Sequence, residues 1–306
     1  MLRVRNVLHP TDFSRCAAHA LPHTVHLAEM YEAELHLLHA LVLHEADPST
    51  LSHRLPDMEE LYQVLEEHAQ EQLKTATEEH GRANFTIKST QVRAISAAGA
   101  ILDYATENEI DLVVMGTHGR RGLRRLLLGS VAEEVVRLAP CPVLTVPERE
   151  EGNSPSQIER IIVPVDFSEH AELALAYAVE LATAYGAQLH LLHVVDEVVY
   201  PDFYPPVIPS GGSITEELRD QSLQKMSSLL TRCEGADAAV HVRAGRAAPE
   251  IAEFAKERNA DLVVIASHGL TGISHVLLGS VTEQLVRRAT CPVFTVKGFG
   301  RNLIEA

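Results

Sequence analysis

The chain has 306 residues, a formal net charge of −16 and 46% hydrophobic residues. This length suits two ordinary α/β units, and the apolar content favours packed cores over disorder. The negative charge disfavours general nucleic-acid binding, which needs a basic face. No apolar run reaches the ~18–20 residues that cross a bilayer, and the first residues lack a secretory signal pattern. We therefore expect a cytoplasmic protein that contacts neither nucleic acid nor membrane.

One sequence pattern occurs twice, with a period of about 150 residues. Residues 6–14 (NVLHPTDFS) match residues 160–168 (RIIVPVDFS), and residues 112–146 match residues 262–296. This period is the length of a domain, so the pattern indicates a tandem duplication. The predicted organisation is a domain over 1–147, a charged linker rich in turn formers over 148–157, a second domain over 158–297, and a loosely held tail over 298–306.

Strands and helices alternate along each predicted domain. In the first, a strand near 3–9 ends at Pro10, and Ser14 caps a helix to about Tyr31 that Pro22 should kink or end early. The later elements are strands near 34–42, 84–93, 112–115 and 142–146, and helices near 57–80, 98–108 and, capped by Ser130, 130–138.

This alternation implies parallel strands joined by right-handed crossovers. Apolar runs such as LVVM and LVVI fit strands that are covered on both faces. We therefore predict an α/β fold of two tandem, doubly wound, five-stranded parallel-sheet domains. Each is Rossmann-like with strand order 3-2-1-4-5.

Ligands of such sheets bind beyond the carboxyl ends of the strands, where the strand order reverses. Two loops of each domain fall there. One follows the first strand and carries Asp12 or Asp166. The other follows the fourth strand and carries the spacing G-x-x-G, nine residues, G-S in the first half and A-x-x-G, nine residues, G-S in the second. Glycines and a helix start expose backbone N–H groups to an anion, so the facing loops favour a nucleotide.

Each feature also has a plain structural explanation. The aspartates can form local Asx turns or help to start a helix. The glycines can be ordinary turn residues, and Gly129 with Ser130 can be a simple helix start. The occurrence of both loops in both halves favours binding.

With these motifs in place, the chain resembles the tandem, two-domain members of the universal stress protein family along nearly its whole length. The G-x-x-G, nine residues, G-S pattern resembles that family's ATP-binding signature. The resemblance implies bound ATP or AMP, with or without Mg²⁺. It also implies pairing of two units through their fifth strands, so that one chain would form an internal pseudo-dimer; association of two chains stays open.

The resemblance assigns binding residues to each half. In the first half they are Pro10, Thr11, Asp12, Ala40, Met115, Gly116, His118, Gly119, Arg120, Gly129, Ser130 and Val131. In the second half they are Pro164, Val165, Asp166, Val194, Ala266, His268, Gly269, Gly279, Ser280, Val281 and Thr282.

The two halves differ within the glycine loop. Ala266 replaces Gly116, and its methyl group would crowd a ribose or be harmless, depending on whether the position needs a positive φ. Thr282 offers a hydroxyl to a phosphate where the first half has Ala132. The first loop carries Arg120, Arg121, Arg124 and Arg125 where the second has Leu270, Thr271, Ser274 and His275. The arginines predict tighter triphosphate binding in the first half, although a solvated surface loop is an equal alternative.

A metal site and rapid phosphoryl transfer are less well supported by the sequence. His36 and His39 lie three apart on a strand and point to opposite faces, so we expect no metal site. Neither glycine loop supplies a P-loop lysine, so efficient phosphoryl transfer is not expected. The prediction is an adenine-nucleotide-binding regulatory or stress-response protein with an unidentified partner. The alternatives are a weak ATPase or nucleotidyl-transfer enzyme, and an interaction protein with empty pockets.

Overall fold

The structure is a computed structural model that describes residues 2–42, 58–80, 85–119, 128–148, 155–195, 212–269 and 278–304. The chain divides into two compact units. The first unit is Arg3–Glu148, and the second is Arg149–Ala306 together with the first two residues. In the described parts of the chain, no helix is long and apolar enough to cross a membrane.

The described part of the first unit alternates strands and helices from end to end. Its elements are β1 (Asn6–Pro10), α1 (Arg15–Tyr31), β2 (Glu34–Val42), α2 (Met58–His80), β3 (Ile87–Ala94), α3 (Ala97–Glu107), β4 (Leu112–Gly116), α4 (Ser130–Leu138) and β5 (Val143–Val146).

The second unit repeats this order. Its elements are β6 (Arg160–Pro164), α5 (Glu169–Tyr185), β7 (Gln188–Val195), α6 (Gly212–Leu229), a short 3-10 helix (Leu230–Arg232), β8 (Ala238–Ala244), α7 (Ala247–Glu257), β9 (Leu262–Ala266), α8 (Ser280–Arg288) and β10 (Val293–Val296).

Each unit contains a parallel sheet with the predicted strand order. The first unit has β3-β2-β1-β4-β5, and the second has β8-β7-β6-β9-β10. In the first, Val7 of β1 pairs with Leu35 of β2 on one side and Leu112 of β4 on the other. The predicted fold class is therefore confirmed. The strand order reverses between β1 and β4, so the loops that follow these two strands share one edge of the sheet.

Helix α1 differs from its predicted course at Pro22. The prediction of an early break at Pro22 is wrong, because α1 runs without interruption from Arg15 to Tyr31. Proline cannot donate to the carbonyl four residues earlier, but α1 packs along β4 and β1, and this burial holds the helix together. The predicted cap at its start is present, since Ser14 Oγ accepts from the Ala17 N–H across 3.2 Å.

The predicted cap of α4 is wrong. Ser130 is the first helical residue, and Gly129 before it is the N-cap, with no side-chain capping bond. The reason is that the Gly129 N–H donates to the Thr117 carbonyl at 2.8 Å. A β-carbon on Gly129 would lie 3.3 Å from that same oxygen, so close backbone approach, rather than capping chemistry, selects the residue before the helix.

The prediction of a loosely held C-terminal tail is also wrong for the described residues up to Ile304. Leu303 is only 3% exposed. Its N–H donates to the Tyr177 hydroxyl at 2.7 Å, and that hydroxyl donates to Asn302 Oδ1 at 3.0 Å. A buried leucine and a phenol with two partners tie this stretch to α5.

The first unit buries His9, His36 and His39, and His9 is the least exposed of the three. His9 on β1 is 2% exposed, and its Nδ1 donates to the Val114 carbonyl at 3.0 Å. Burial lowers the pKa of His9 from 6.5 to about 4, although the Val114 hydrogen bond and the Asp12 carboxylate oppose the shift. The matching residue of the second unit is Val163, so this buried ring is a property of the first unit.

We expect His9 to weaken the fold as the pH falls. The unfolded chain protonates this residue near pH 6.5, whereas the folded chain resists protonation until about pH 4. The stability from neutral His9 is therefore complete above pH 6.5 and is lost on acidification, by about 3 kcal/mol near the folded pKa. His9→Val should remove this part of the pH dependence of the urea-unfolding free energy.

The quantity to compare is the slope of the unfolding free energy against pH. The absolute free energy is unsuitable, because His9→Val also removes the hydrogen bond to the Val114 carbonyl. The control is His68→Gln, at an exposed histidine of α2, which should keep the wild-type slope. A wild-type slope in His9→Val would contradict the prediction.

Candidate functional site

The loop after the first strand of each unit forms an Asx turn. Asp12 Oδ1 accepts from the Ser14 N–H at 3.0 Å. In the second unit Asp166 Oδ1 accepts from the Ser168 N–H at 3.0 Å and from its hydroxyl at 2.6 Å. The plain structural explanation of the two aspartates therefore holds for one oxygen of each carboxylate. These bonds also fix the direction of the other oxygen.

That other oxygen faces the glycine loop. A β-carbon built on Gly119 would lie 2.6 Å from Asp12 Oδ2. One built on Gly269 would collide in the same way with Asp166 Oδ2. Real β-carbons do not approach an oxygen so closely, so a side chain at Gly119 or Gly269 would displace the aspartate from its present position. The structure brings the two loops together in both units.

The glycine loop is closed at its base. The Gly129 N–H donates to the Thr117 carbonyl, and the Gly279 N–H donates to the Ser267 carbonyl, both at 2.8 Å. This bond places the G-x-x-G segment beside the first turn of the following helix. Residues 120–127 and 270–277 between them lie outside the described residues, and with them the arginines Arg120, Arg121, Arg124 and Arg125.

The helix after the glycine loop starts without a side-chain cap in both units. Gly129 precedes α4 and Gly279 precedes α8, and neither makes a side-chain capping bond. The next residues, Ser130 and Ser280, are exposed. A helix start of this kind presents backbone N–H groups and the positive end of the helix dipole to the crevice.

The remaining predicted residues lie along the same sheet edge. Pro10 ends β1 and pairs with Leu38, and Ala40 follows two residues further along β2. In the second unit Pro164 pairs with Leu192, and Val194 follows on β7. Met115 is the last but one residue of β4, and the rest belong to the two loops and the helix starts: Thr11, Val131, Val165 and Val281.

Two phenylalanines have an unusual backbone conformation in this site. Phe13 has φ 61° and Phe167 has φ 62°, a region that bulky side chains avoid at a cost of about 1–3 kcal/mol. A histidine ring packs on each, with 4.6 Å between ring centroids for Phe13 and His39 and for Phe167 and His193. The same strained turn therefore follows the aspartate in both units.

The same histidines bind the backbone of the aspartate loop. His39 Nδ1 donates to the Thr11 carbonyl at 2.8 Å, and His193 Nδ1 donates to the Val165 carbonyl at 2.7 Å. Sequence reasoning considered these histidines only as metal ligands and missed this role. The available signal was the joint repetition of LHLLH and of D-F-S in both halves.

We expect His39→Phe to loosen the aspartate loop. Phenylalanine keeps a ring beside Phe13 but cannot donate to the Thr11 carbonyl, so the unfolding free energy should fall by about 1–2 kcal/mol. Hydrogen exchange of the Phe13 and Ser14 amides should become faster. The control is His36→Phe, which removes the bond from His36 to Tyr104 on the other face of β2. Equal exchange at Ser14 in both variants would contradict this role.

The difference between Gly116 and Ala266 has its origin in helix packing. A β-carbon on Gly116 would lie 2.8 Å from both the carbonyl oxygen and Sγ of Cys16 in α1. In the second unit His170 stands in place of Cys16, and Ala266 is 8% exposed. Glycine at 116 is therefore needed for the close approach of α1, and crowding of a ribose is not required to explain it.

Thr282 is buried next to Ala266. Its side chain is 3% exposed, and its hydroxyl donates to the Ala266 carbonyl at 2.7 Å. In this structure the hydroxyl proton is therefore used inside the protein, and a phosphate contact by Thr282 stays a prediction. The first unit has Ala132 at this position.

We expect Gly116→Ala to lower the unfolding free energy by about 1–3 kcal/mol, because the new methyl group overpacks against α1. Adding Cys16→Ala should not restore stability, since two of the three nearest atoms belong to the Cys16 main chain. The control is Gly99→Ala in α3, where the nearest atom to the new methyl group is Ser96 Cβ at 3.6 Å. Full stability of Gly116→Ala in thermal unfolding would refute this explanation.

The histidines of the glycine loops bind their neighbours. His118 Nδ1 lies 2.8 Å from Thr117 Oγ1, and His268 Nδ1 lies 2.9 Å from Ser267 Oγ. Burial lowers the pKa of His118, although Glu148 opposes the shift, so burial favours the neutral ring. No group of three metal-binding side chains occurs within the described ranges.

A family model described as the universal stress protein family matches this chain twice, over residues 3–147 and 157–297. The chain belongs to the universal stress protein family. A universal stress protein of Mycolicibacterium smegmatis is 29% identical over 275 residues, which cover 87% of this chain and 90% of that protein. One from Methanocaldococcus jannaschii is 32% identical over 147 residues, covering 47% of this chain and 85% of its own length.

Solved structures show the same fold. A universal stress protein from Archaeoglobus fulgidus superposes with a TM-score of 0.67 at 22% identity, covering 95% of this chain and 98% of that one. A functionally unknown protein from Pseudomonas aeruginosa gives 0.64 at 17% identity, covering 96% and 92%. At these identities, the likeness to the two structures concerns the fold alone.

Proposed function

We propose that this universal stress protein binds an adenine nucleotide, ATP or AMP, with or without Mg²⁺, in each of two domains over residues 1–147 and 158–297. It would act as a stress-response or regulatory module. The observation that carries the proposal is the contact of Asp12 Oδ2 with Gly119, repeated by Asp166 and Gly269. Ligands of this fold bind beyond the carboxyl ends of the strands where the strand order reverses, and the two loops lie there in both units.

Each wall of the crevice suits one part of a nucleotide. The carboxylates of Asp12 and Asp166 are acceptors for ribose hydroxyls or the exocyclic amine of adenine. The backbone near Ala40 and Val194 lies along the same edge for the adenine ring. The glycine loop and the start of α4 or α8 supply N–H groups and a positive helix end, which favour phosphates.

The chemistry of the loop favours binding over rapid turnover. The helix after each loop opens with Gly-Ser-Val, whereas a P-loop supplies a lysine at this point. Phosphoryl transfer needs groups that stabilise charge and position the attacking water. A slow ATPase is the alternative, and steady release of ADP from ATP and Mg²⁺, abolished by Gly129→Ala, would establish it.

We expect Gly119→Ala and Gly269→Ala each to remove one nucleotide site. The new methyl group must displace the facing carboxylate, which should weaken binding there by about a hundredfold, below what the titration detects. Native mass spectrometry of the purified protein would first identify any co-purified nucleotide. Calorimetric titration of the nucleotide-free protein would then give two sites for wild type, one for each variant and none for the double variant.

Gly99→Ala is the matched control, because its methyl group meets only ordinary contacts in α3. It should bind nucleotide as wild type does. Unchanged affinity in both loop variants, or no adenine nucleotide bound by wild type in either experiment, would reject the proposed function.

A further inference from the structure

The C-terminal segment, Lys297–Ile304, is fixed at both ends. At its start Lys297 is 4% exposed, and near its end Leu303 is 3% exposed. Tyr177 of α5 accepts from the Leu303 N–H and donates to Asn302. The segment therefore lies along α5 as an integral part of the second unit.

The start of the C-terminal segment contacts the second glycine loop. The Phe299 ring meets the His268 ring edge-on, with 6.2 Å between centroids and 63° between planes. His170 of α5 lies 6.0 Å from His268. Gly298 packs so closely against His170 that a β-carbon would not fit. His268 is consequently buried among α5 and the C-terminal segment, with 8% exposure.

His268 is next to Gly269, a residue of the proposed second nucleotide site. It immediately precedes Gly269, which contacts Asp166 Oδ2, and its Nδ1 bonds to Ser267 Oγ. Fixing this ring therefore fixes the backbone of the glycine loop beside the aspartate. Lys297 adds to the same cluster, because its Nζ lies 5.4 Å from the Phe299 ring centroid.

The first unit has a different sequence at these positions. Pro147, Glu148 and Arg149 stand where the second unit has Lys297, Gly298 and Phe299. Glu148 lies 3.5 Å from Arg15 in an exposed ion pair, and His118 is more exposed than His268. The aromatic contact is therefore a property of the second unit.

We propose that Phe299 is a positioning residue of the second nucleotide site, and that through it the C-terminal segment sets that site's affinity for the phosphate chain. This inference rests on the proposed function. Phe299 holds the His268 ring in place. It thereby keeps the Ser267–Gly269 backbone in the conformation that binds phosphates. The loop is then ordered before the nucleotide binds, so binding costs less conformational entropy and is stronger. Because the loop contacts phosphates, ATP depends on Phe299 more than AMP does.

The test uses the full chain with the first site removed by Gly119→Ala. In this background Phe299→Ala should weaken ATP binding by roughly two- to tenfold, the range expected for one aromatic contact, and AMP binding by less. Phe299→Tyr keeps the ring and should retain the affinity. In a Gly269→Ala background, where the first site remains, Phe299→Ala should have no effect.

Amide hydrogen exchange tests the positioning role without any nucleotide. Exchange at residues 267–269 should become faster in Phe299→Ala but not in Phe299→Tyr. Unchanged exchange, unchanged ATP affinity, or an equal loss for ATP and AMP would overturn the inference. Absence of nucleotide binding in wild type itself would instead refute the proposed function, and the exchange result would still decide whether Phe299 positions the loop.

Discussion

The close approach of an aspartate oxygen to a glycine is the constraint on which each candidate site depends. It joins the loop after the first strand to the loop after the fourth, and it leaves no room for a side chain at Gly119 or Gly269. Several other features of the loop after the first strand help to position the aspartate for this contact. The Asx turn aims the carboxylate, the strained phenylalanine follows from that turn, and a histidine fixes the loop from the neighbouring strand.

The larger features of the fold could be predicted from the sequence because they depend on patterns that repeat. Alternating elements predicted parallel sheets, and the duplicated motifs predicted two units with the strand order that the structure has. The meeting of the two loops followed from that order. These inferences need only periodicity and the general rules of α/β topology.

The errors concern places where tertiary contacts overrule a local rule. Pro22 does not end α1, because packing on the sheet outweighs one lost hydrogen bond. Ser130 does not cap α4, because Gly129 is held by the Thr117 carbonyl. The tail is ordered, because Leu303 finds a buried position that no local pattern indicates. The role of His39 required knowing which carbonyl lies beside its strand.

The burial of Leu303 also bears on how the protein can be handled. Ile304, the last residue that the structure describes, follows the buried Leu303, whose N–H is bound by Tyr177 of α5. A fusion at that end would strain the C-terminal segment, whose Phe299 contacts His268 of the second glycine loop. We therefore expect a C-terminal tag to affect the second candidate site and not the first, so a difference measured between the two sites of a tagged protein would include the effect of the tag.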